Sequence, residues 1–75
     1  MDEICRIAGR NVKAARNVIG LSQEALADEA KIDRTYVSGV ERGLRNPSIR
    51  VLARLAKALK TTPAALLTKD AKFTV

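Results

Sequence analysis

Apolar residues recur along the first quarter of the chain at the spacing of one helix face. Between residues 3 and 19 they follow steps of three and four, which places them on one side of an α-helix. Gly20 is expected to end this helix, because glycine takes the left-handed C-terminal conformation without strain. The pattern predicts a helix over residues 3–19 with an inward face made of Ile4, Ile7, Ala8, Val12, Ala15 and Ile19.

Two shorter amphipathic segments follow, separated by a tight turn. Ser22 is placed to cap the first of them, and Glu24 is favourable beside the positive end of a helix. Asp33 is placed to cap the second, which runs over residues 34 to about 42 and ends at Gly43. The inward positions of these two predicted helices are Leu26, Ala27, Ala30, Val37 and Val40.

Two further helices complete the predicted fold. Ser48 is a cap for a fourth helix, and Thr62 followed by Pro63 marks the start of a fifth, which reaches about residue 68 and carries Leu66 and Leu67. Residues 69–75 are predicted to be a loose tail. The period-two alternation of a strand is absent from the sequence, so we predict an all-α, compact five-helix bundle with residues 1–75 as one domain. The apolar stripe of the fourth helix is predicted to comprise Ile49, Leu52, Leu55, Ala56 and Leu59.

Composition narrows the classes of protein to which the chain can belong. Its 75 residues include no His and a single Cys, which argues against a Cys/His zinc site and against an internal disulfide. We therefore expect no metal and no cofactor, and Cys5 is expected to be a small core or surface residue. No apolar run approaches the ~20 residues of a membrane span. Cationic residues interrupt the early apolar positions, which argues against an N-terminal export signal. These features predict a soluble, cytoplasmic protein.

Positive charge is concentrated in the second half of the sequence. Fourteen Lys and Arg residues against eight Asp and Glu give a formal net charge of +6. Between residues 34 and 60 there are seven basic residues and one acid, Glu41. Such a segment attracts polyanions, but it can equally be a solvated face that keeps the protein soluble. Charge alone leaves both interpretations open.

The outer face of the predicted third helix distinguishes it from an ordinary surface helix. A helix exposed only to water favours Glu, Lys, Gln and Ala, whereas this face contains several weak helix formers. Gly39 within a helix is unfavourable by about 1 kcal/mol relative to Ala. We interpret the glycine as a position where a side chain would strike a partner surface. The outer face consists of Arg34, Thr35, Tyr36, Ser38 and Gly39.

The region around this face resembles the helix-turn-helix of phage-repressor-like (Xre-type) transcription factors, and most closely the controller proteins of restriction–modification systems. The resemblance extends over residues 8–68 and is carried by Leu21-Ser22-Gln23, Leu26-Ala27, Asp33 to Ser38, Val40 to Gly43, and Arg45 to Ser48. It implies a lambda-repressor-like fold and a homodimer that binds a palindromic operator in double-stranded DNA and regulates its own and neighbouring promoters. RNA polymerase is then a further candidate partner. Lys31 departs from the family pattern, which usually has glycine in the turn.

Residue roles follow from this resemblance. The start of the third helix enters the major groove in this class of protein, so the candidate base-contacting residues are Arg34, Thr35, Ser38 and Gly39. Polar residues at the start of the second helix and around the loop after the third are expected to contact phosphates. These candidate phosphate-contacting residues are Gln23, Tyr36, Arg42, Arg45, Asn46, Ser48 and Arg50.

Two further sets of residues are assigned to structure and assembly. The resemblance pairs Arg16 with Glu41 in a salt bridge, so Glu41→Ala is expected mainly to unfold the protein. The candidate dimer surface lies in residues 62–75, because the preceding helices already supply a core. Packing within the monomer is the alternative for these residues, and for Leu66 in particular. The candidate interface residues are Leu66, Leu67, Phe73 and Val75.

Two competing functions are weighed against DNA regulation. An antitoxin-like or other protein-interaction module would bind DNA only weakly and without sequence preference. An enzyme is disfavoured, because the sequence has no nucleophile–base pair and no phosphate-cradling glycine loop. No catalytic residue is therefore assigned.

Overall fold

The computed structural model describes residues 2–74 of the chain. Its regular structure in that range is entirely helical, which confirms the predicted all-α, five-helix fold. The predicted helices are all present, and their ends differ from expectation by one or two residues. The helices are α1 (Glu3–Val18), α2 (Gln23–Ala30), α3 (Arg34–Glu41), α4 (Ile49–Ala58) and α5 (Pro63–Leu66).

Each helix begins with a side-chain cap. A capping oxygen accepts one of the backbone N–H groups that the first helical turn leaves unpaired. The Ser22 hydroxyl accepts from the Ala25 N–H at 3.0 Å, and Asp2 does the same for α1. The predicted caps of α2 to α5 are confirmed as Ser22, Asp33, Ser48 and Thr62.

Four helices end in the same backbone reversal. At each end a residue with positive φ donates its N–H three residues back, and the next residue donates five residues back. Gly20 and Gly43 occupy this position after α1 and α3, with φ near +75°. Lys31 and Lys60 occupy it after α2 and α4, with φ of 58° and 60°. Lys31, which stands where the family usually has glycine, thus takes the left-handed conformation.

The core lies where the five helices meet. α3 packs between α1 and α2, α4 packs on α2, and α5 closes the bundle against α1 and α4. The largest fully buried side chains are Val12, Leu26, Val37, Val40, Leu55 and Leu66.

Two residues expected to face inward instead lie at the surface. Ile49 is 85% exposed and Ile4 is 46% exposed. Both stand in the first turn of a helix, where the neighbouring helices do not cover the apolar face. From Leu52 onwards the stripe of α4 is buried as expected, through Leu55, Ala56 and Leu59.

Polar and small residues of α1 hold the bundle together at positions that the sequence analysis did not identify. The buried Asn11 donates its side-chain N–H groups to the carbonyls of Leu66 at 2.8 Å and Thr68 at 2.9 Å, which fixes the end of α5 on α1. At Gly9 a Cβ would lie 2.3 Å from the carbonyl oxygen of Val40. α1 therefore approaches the end of α3 more closely than any side chain would permit.

The C-terminal segment requires a correction to the expected dimer surface. Leu66 is fully buried in the monomer core, so it cannot contribute to an interface, and the alternative of internal packing is the one observed. Phe73 is half-buried and packs against the same core. Leu67 is exposed, and Val75 lies outside the described residues.

Candidate nucleic-acid interface

A tight turn joins α2 to α3. Lys31 donates its N–H to the Asp28 carbonyl at 3.3 Å, and Ile32 donates to the Ala27 carbonyl at 3.0 Å. Ala27 is buried where the two helices approach, as a small residue at a steep crossing should be. Ile32 packs against the core beside them. The pair α2–α3 is thus held as one rigid helix-turn-helix unit.

Asp33 fixes the start of α3. Its carboxylate accepts hydrogen bonds from the backbone N–H of Thr35 at 2.7 Å and from the Thr35 hydroxyl. These bonds, the side-chain one first, hold the pKa of the Asp33 carboxyl below its usual value, so the cap is ionised at neutral pH. The Thr35 hydroxyl donates to this cap, which leaves its oxygen lone pairs and its methyl group for a partner.

The first turn of α3 presents its polar side chains to solvent. Arg34 and Thr35 are exposed, whereas Ser38, one turn further, is half-buried. Val37 and Val40 occupy the opposite face and are fully buried. The structure therefore offers the N-terminal part of α3 as an exposed polar edge that carries the Arg34 guanidinium.

Gly39, the fourth residue expected to contact bases, does not lie on this exposed edge. It is buried, and the three atoms nearest to a Cβ built at this position all belong to Arg45. The space that its missing side chain leaves is filled from within the same protein. In the free protein this glycine therefore leaves no open space at the surface.

Arg45 lies back over α3 and stacks on Tyr36. The guanidinium carbon is 5.5 Å from the centroid of the tyrosine ring, which is cation–π distance. Tyr36 is half-buried and packs against the core, so its ring is a fixed platform. Two residues expected to contact phosphates separately thus form one surface element.

Gln23 is the first residue of α2 and takes part in an internal network. Its side-chain amide donates to Glu41 Oε1 at 3.0 Å. Arg16 donates to the same carboxylate through Nε at 2.6 Å and Nη2 at 3.0 Å, which confirms the expected salt bridge. The hydrogen bond to Glu41 raises the pKa of Arg16, so its guanidinium stays charged. A phosphate contact by Gln23 would use its remaining amide groups and the helix N-terminus.

The N-terminus of α2 and the start of α3 border a common depression. Its lining includes Ser22, Gln23, Glu24 and Arg34. The Ser22 hydroxyl occupies the Ala25 N–H, while helix geometry directs the preceding N–H groups out of the helix end. An anion seated here would meet backbone N–H groups and the Arg34 guanidinium together.

The remaining candidate phosphate-contacting residues lie after α3. Arg42 donates to the Ser38 carbonyl at 3.4 Å, and the Ser48 hydroxyl accepts from Val51 at 3.1 Å. Both are therefore partly used within the protein, although the Ser48 hydroxyl retains its proton for donation. Asn46 and Arg50 are exposed.

Other kinds of functional site find little support in the described part of the chain. Residues 2–74 contain no group of three His, Cys, Asp or Glu residues that could hold a metal ion. Within the same range, none of the helices has the length and apolar character that crossing a membrane demands.

Comparison with known proteins identifies the family. A helix-turn-helix family model matches residues 12–66, which is most of the chain. Control protein C.SmaI of Serratia marcescens is 45% identical over 68 residues, covering 91% of this chain and 81% of that protein. Both findings agree with the resemblance inferred from residues 8–68.

Solved structures of similar proteins have the same fold. The restriction–modification controller protein C.AhdI of Aeromonas hydrophila matches with a TM-score of 0.80 and 44% identity, over 83% of this chain and 94% of that one. A controller protein, C.Esp1396I, solved as a tetramer in complex with its natural 35-base-pair operator, matches with a TM-score of 0.80 and 32% identity, over 88% and 87% of the two chains. The chain belongs to the helix-turn-helix family of DNA-binding transcription regulators, which are not enzymes, and is closely related to restriction–modification controller proteins.

Proposed function

We propose that this protein is a sequence-specific regulator that binds a palindromic operator as a homodimer, in the manner of a restriction–modification controller. The observation that carries the proposal is the exposed N-terminal edge of α3, with Arg34 and Thr35 held by the Asp33 cap on a rigid helix-turn-helix. A helix start presented in this way fits the major groove. The likeness of this chain to C.Esp1396I, which was solved in complex with its operator, supports the same mode of binding.

Arg34 and Thr35 are the residues we assign to base recognition, with Ser38 as a further contact. A guanidinium donates two parallel hydrogen bonds to O6 and N7 of guanine, which is worth about 1–3 kcal/mol of discrimination. Thr35 offers a hydroxyl oxygen and a methyl group, the latter suited to the thymine methyl. Because all three stand on one helix, they would read adjacent base pairs.

Two flanking regions are assigned to the DNA backbone. The N-terminus of α2 would bind one phosphate through backbone N–H groups and Gln23. The segment after α3 would bind another, where the helix-turn-helix meets the far side of the groove. The residues assigned to this second contact are Tyr36, Arg42, Arg45, Asn46, Ser48 and Arg50, and such contacts fix register without reading sequence.

A dimer follows from the small footprint of a single recognition helix. We place its interface at an apolar groove between the starts of α1 and α4 and the end of α5. Ile4 and Leu67 are 46% and 41% exposed there, and Ile49 is 85% exposed. Its lining further includes Ala8, Pro47 and Leu52. A second copy of the chain would bury this groove through a two-fold contact, as closed dimers do.

Regulation by operator occupancy is the mechanism we propose. A dimer bound beside a promoter blocks RNA polymerase or contacts it, and its own concentration sets the occupancy. The acting compartment would be the cytoplasm, where the promoters are. The genes flanking this one test the connection to restriction–modification directly.

Selection from a pool of randomised DNA duplexes at near-physiological salt tests the proposal. The expected result is a motif with two-fold symmetry, with half-sites about 34 Å apart or at a multiple of that spacing. Binding that weakens steeply with salt but enriches no sequence would contradict it. That outcome would favour the protein-interaction module, and a protein partner would then be sought.

A further inference from the structure

Gly39 lies in the middle of α3 without a conformational reason for being glycine. Among the described residues, only Gly20 and Gly43 of the glycines have positive φ, so the backbone at residue 39 is ordinary helix. Alanine is the better helix former at such a position. The explanation must therefore come from the space that a side chain would occupy.

That space is filled by Arg45. A Cβ at residue 39 would lie 2.7 Å from Cγ of Arg45, 3.2 Å from its Nε and 3.5 Å from its Cδ. The nearest of these atoms belongs to the stem of the side chain rather than to its tip. A small rotation at the guanidinium end would not relieve the overlap, so the side chain would have to move from its stem, which displaces the guanidinium from its present place over α3.

The origin of the Arg45 side chain is fixed by the reversal that ends α3. Gly43 donates to the Val40 carbonyl and Leu44 to the Gly39 carbonyl, both at 2.9 Å. From there the side chain runs back over residue 39 to the ring of Tyr36, which is one helical turn closer to the start of α3. Its guanidinium is thereby directed along α3 towards the edge that carries Arg34.

We propose that Gly39 is a positioning residue for DNA binding: it leaves the channel in which Arg45 lies against α3 and stacks on Tyr36. This inference rests on the proposed function. An arginine held in this way loses less rotamer freedom when it binds DNA than one that moves freely in solvent. Gly39 would thus act on DNA affinity through Arg45, without touching DNA itself.

The test is a double-mutant cycle on the operator selected by the wild-type protein. Gly39→Ala and Arg45→Ala are each expected to weaken operator binding about tenfold, the equivalent of one charged hydrogen bond. Because both remove the same contact, the double variant should bind no more weakly than Arg45→Ala. Losses that add in the double variant, or a Gly39→Ala protein that binds as well as wild type, would overturn the proposal.

Arg42 supplies a matched control. It also follows α3, but its side chain donates to the Ser38 carbonyl. None of its atoms is among the three nearest to a Cβ built at residue 39. Gly39→Ala combined with Arg42→Ala is therefore expected to give additive losses. Non-additivity in this pair as well would show a general disturbance of the loop and would contradict a specific link to Arg45.

A measurement without DNA separates this proposal from the proposed function. In the wild-type protein the side-chain protons of Arg45 should be shifted upfield in NMR spectra by the ring of Tyr36, and Gly39→Ala should abolish the shift. A shift that persists in Gly39→Ala refutes the positioning role, whatever the DNA results. Failure of the proposed function is seen instead in the wild-type protein, which would then select no operator.

Thermal unfolding guards against a trivial result. Gly39→Ala is expected to remain folded, because alanine favours the helix. If Gly39→Ala does not fold, the double variant is used in its place, because it lacks the Arg45 stem that an alanine at residue 39 would strike. Its operator affinity is then compared with that of Arg45→Ala. Equal operator affinities are expected, and a further loss in the double variant would contradict the proposal.

Discussion

At the scale of single residues, Lys31 shows how the turn of the helix-turn-helix tolerates an unfavourable backbone. Its φ of 58° and ψ of 47° lie in the left-handed region, which is unfavourable for a residue with a side chain by about 1–2 kcal/mol. The burial of Leu26 and Ala27 on one side of the turn, and of Val37 on the other, holds the chain in this conformation. Tertiary packing, not local preference, sets the angle between α2 and α3.

Replacement of Lys31 by glycine should therefore stabilise the protein. We expect Lys31→Gly to raise the free energy of unfolding by about 0.5–1 kcal/mol, because the relief of the left-handed strain exceeds the extra backbone entropy of glycine. Urea denaturation measures the change. Lys57→Gly, within α4, is the control and should lower the same free energy by about 1 kcal/mol. A Lys31→Gly protein destabilised to the same extent would contradict the argument.

Individual functional residues could be predicted from sequence only as far as their local chemistry determines their role. The resemblance assigns base contacts to Arg34 and Thr35, the Asp33 cap places both at a helix start, and the structure leaves both exposed. Gly39 is recognisable from sequence as unusual, but the return of Arg45 to it across a loop is not. Likewise, nothing in the sequence indicates that the amide of Gln23 binds Glu41.

At the scale of helices, the Glu41 carboxylate joins three elements. It lies at the end of α3 and accepts hydrogen bonds from Arg16 of α1 and Gln23 of α2. Its side chain is only 4% exposed, and that of Arg16 is 12% exposed. Arg16 also donates to the Leu21 carbonyl at 2.9 Å, so the loop between α1 and α2 belongs to the same network.

Removal of this carboxylate should mainly lower the free energy of unfolding and should not act primarily on DNA contacts. Glu41→Ala strands a largely buried guanidinium, and loss of one partner of a buried pair lowers the free energy of unfolding by about 3–5 kcal/mol. Urea or thermal unfolding measures the loss. Glu24→Ala, an exposed acid of α2, should change stability by no more than about 0.5 kcal/mol. A stable Glu41→Ala protein that has lost only DNA affinity would refute the structural role.

Helix starts were predictable because their signals act within three residues. Ser22, Asp33, Ser48 and Thr62 each cap the helix that follows, as expected from sequence. Burial of the first residues of a helix was not predictable, as the exposure of Ile49 shows, because it depends on where neighbouring helices end. The contact of Asn11 with carbonyls more than fifty residues away was equally hidden, because no local pattern links these positions.

At the scale of the whole molecule, the apolar groove and the exposed N-terminal edge of α3 together suggest how two copies would be arranged. The groove includes Pro47 and Ile49, which alternate along the chain with residues assigned to the DNA backbone, namely Asn46, Ser48 and Arg50. A dimer formed there would bring the two DNA-binding surfaces near a common axis. The net charge of +6 would then be doubled on one duplex.

A charge placed in the groove should separate the two copies. Ile49→Asp is expected to weaken self-association at least about tenfold, because the carboxylate would be buried without a partner. Sedimentation equilibrium over a range of concentrations measures this. Leu44→Asp is the matched control, since Leu44 is 53% exposed but does not line the groove, and it should leave association unchanged. An Ile49→Asp protein that dimerises normally would place the interface elsewhere.

In the proposed complex with DNA, α3 reads bases while the surrounding basic residues bind phosphates. Operator affinity, measured on matched and mismatched duplexes over a range of salt concentrations, tests it in the wild type, Arg34→Ala and Arg50→Ala. We predict that Arg34→Ala loses about 1–3 kcal/mol of discrimination at one base pair of each half-site. Arg50→Ala should keep the discrimination but lower the salt slope by about 0.9 for each phosphate contact removed. Equal, sequence-independent losses in the two variants would contradict this division of roles and leave only a basic surface.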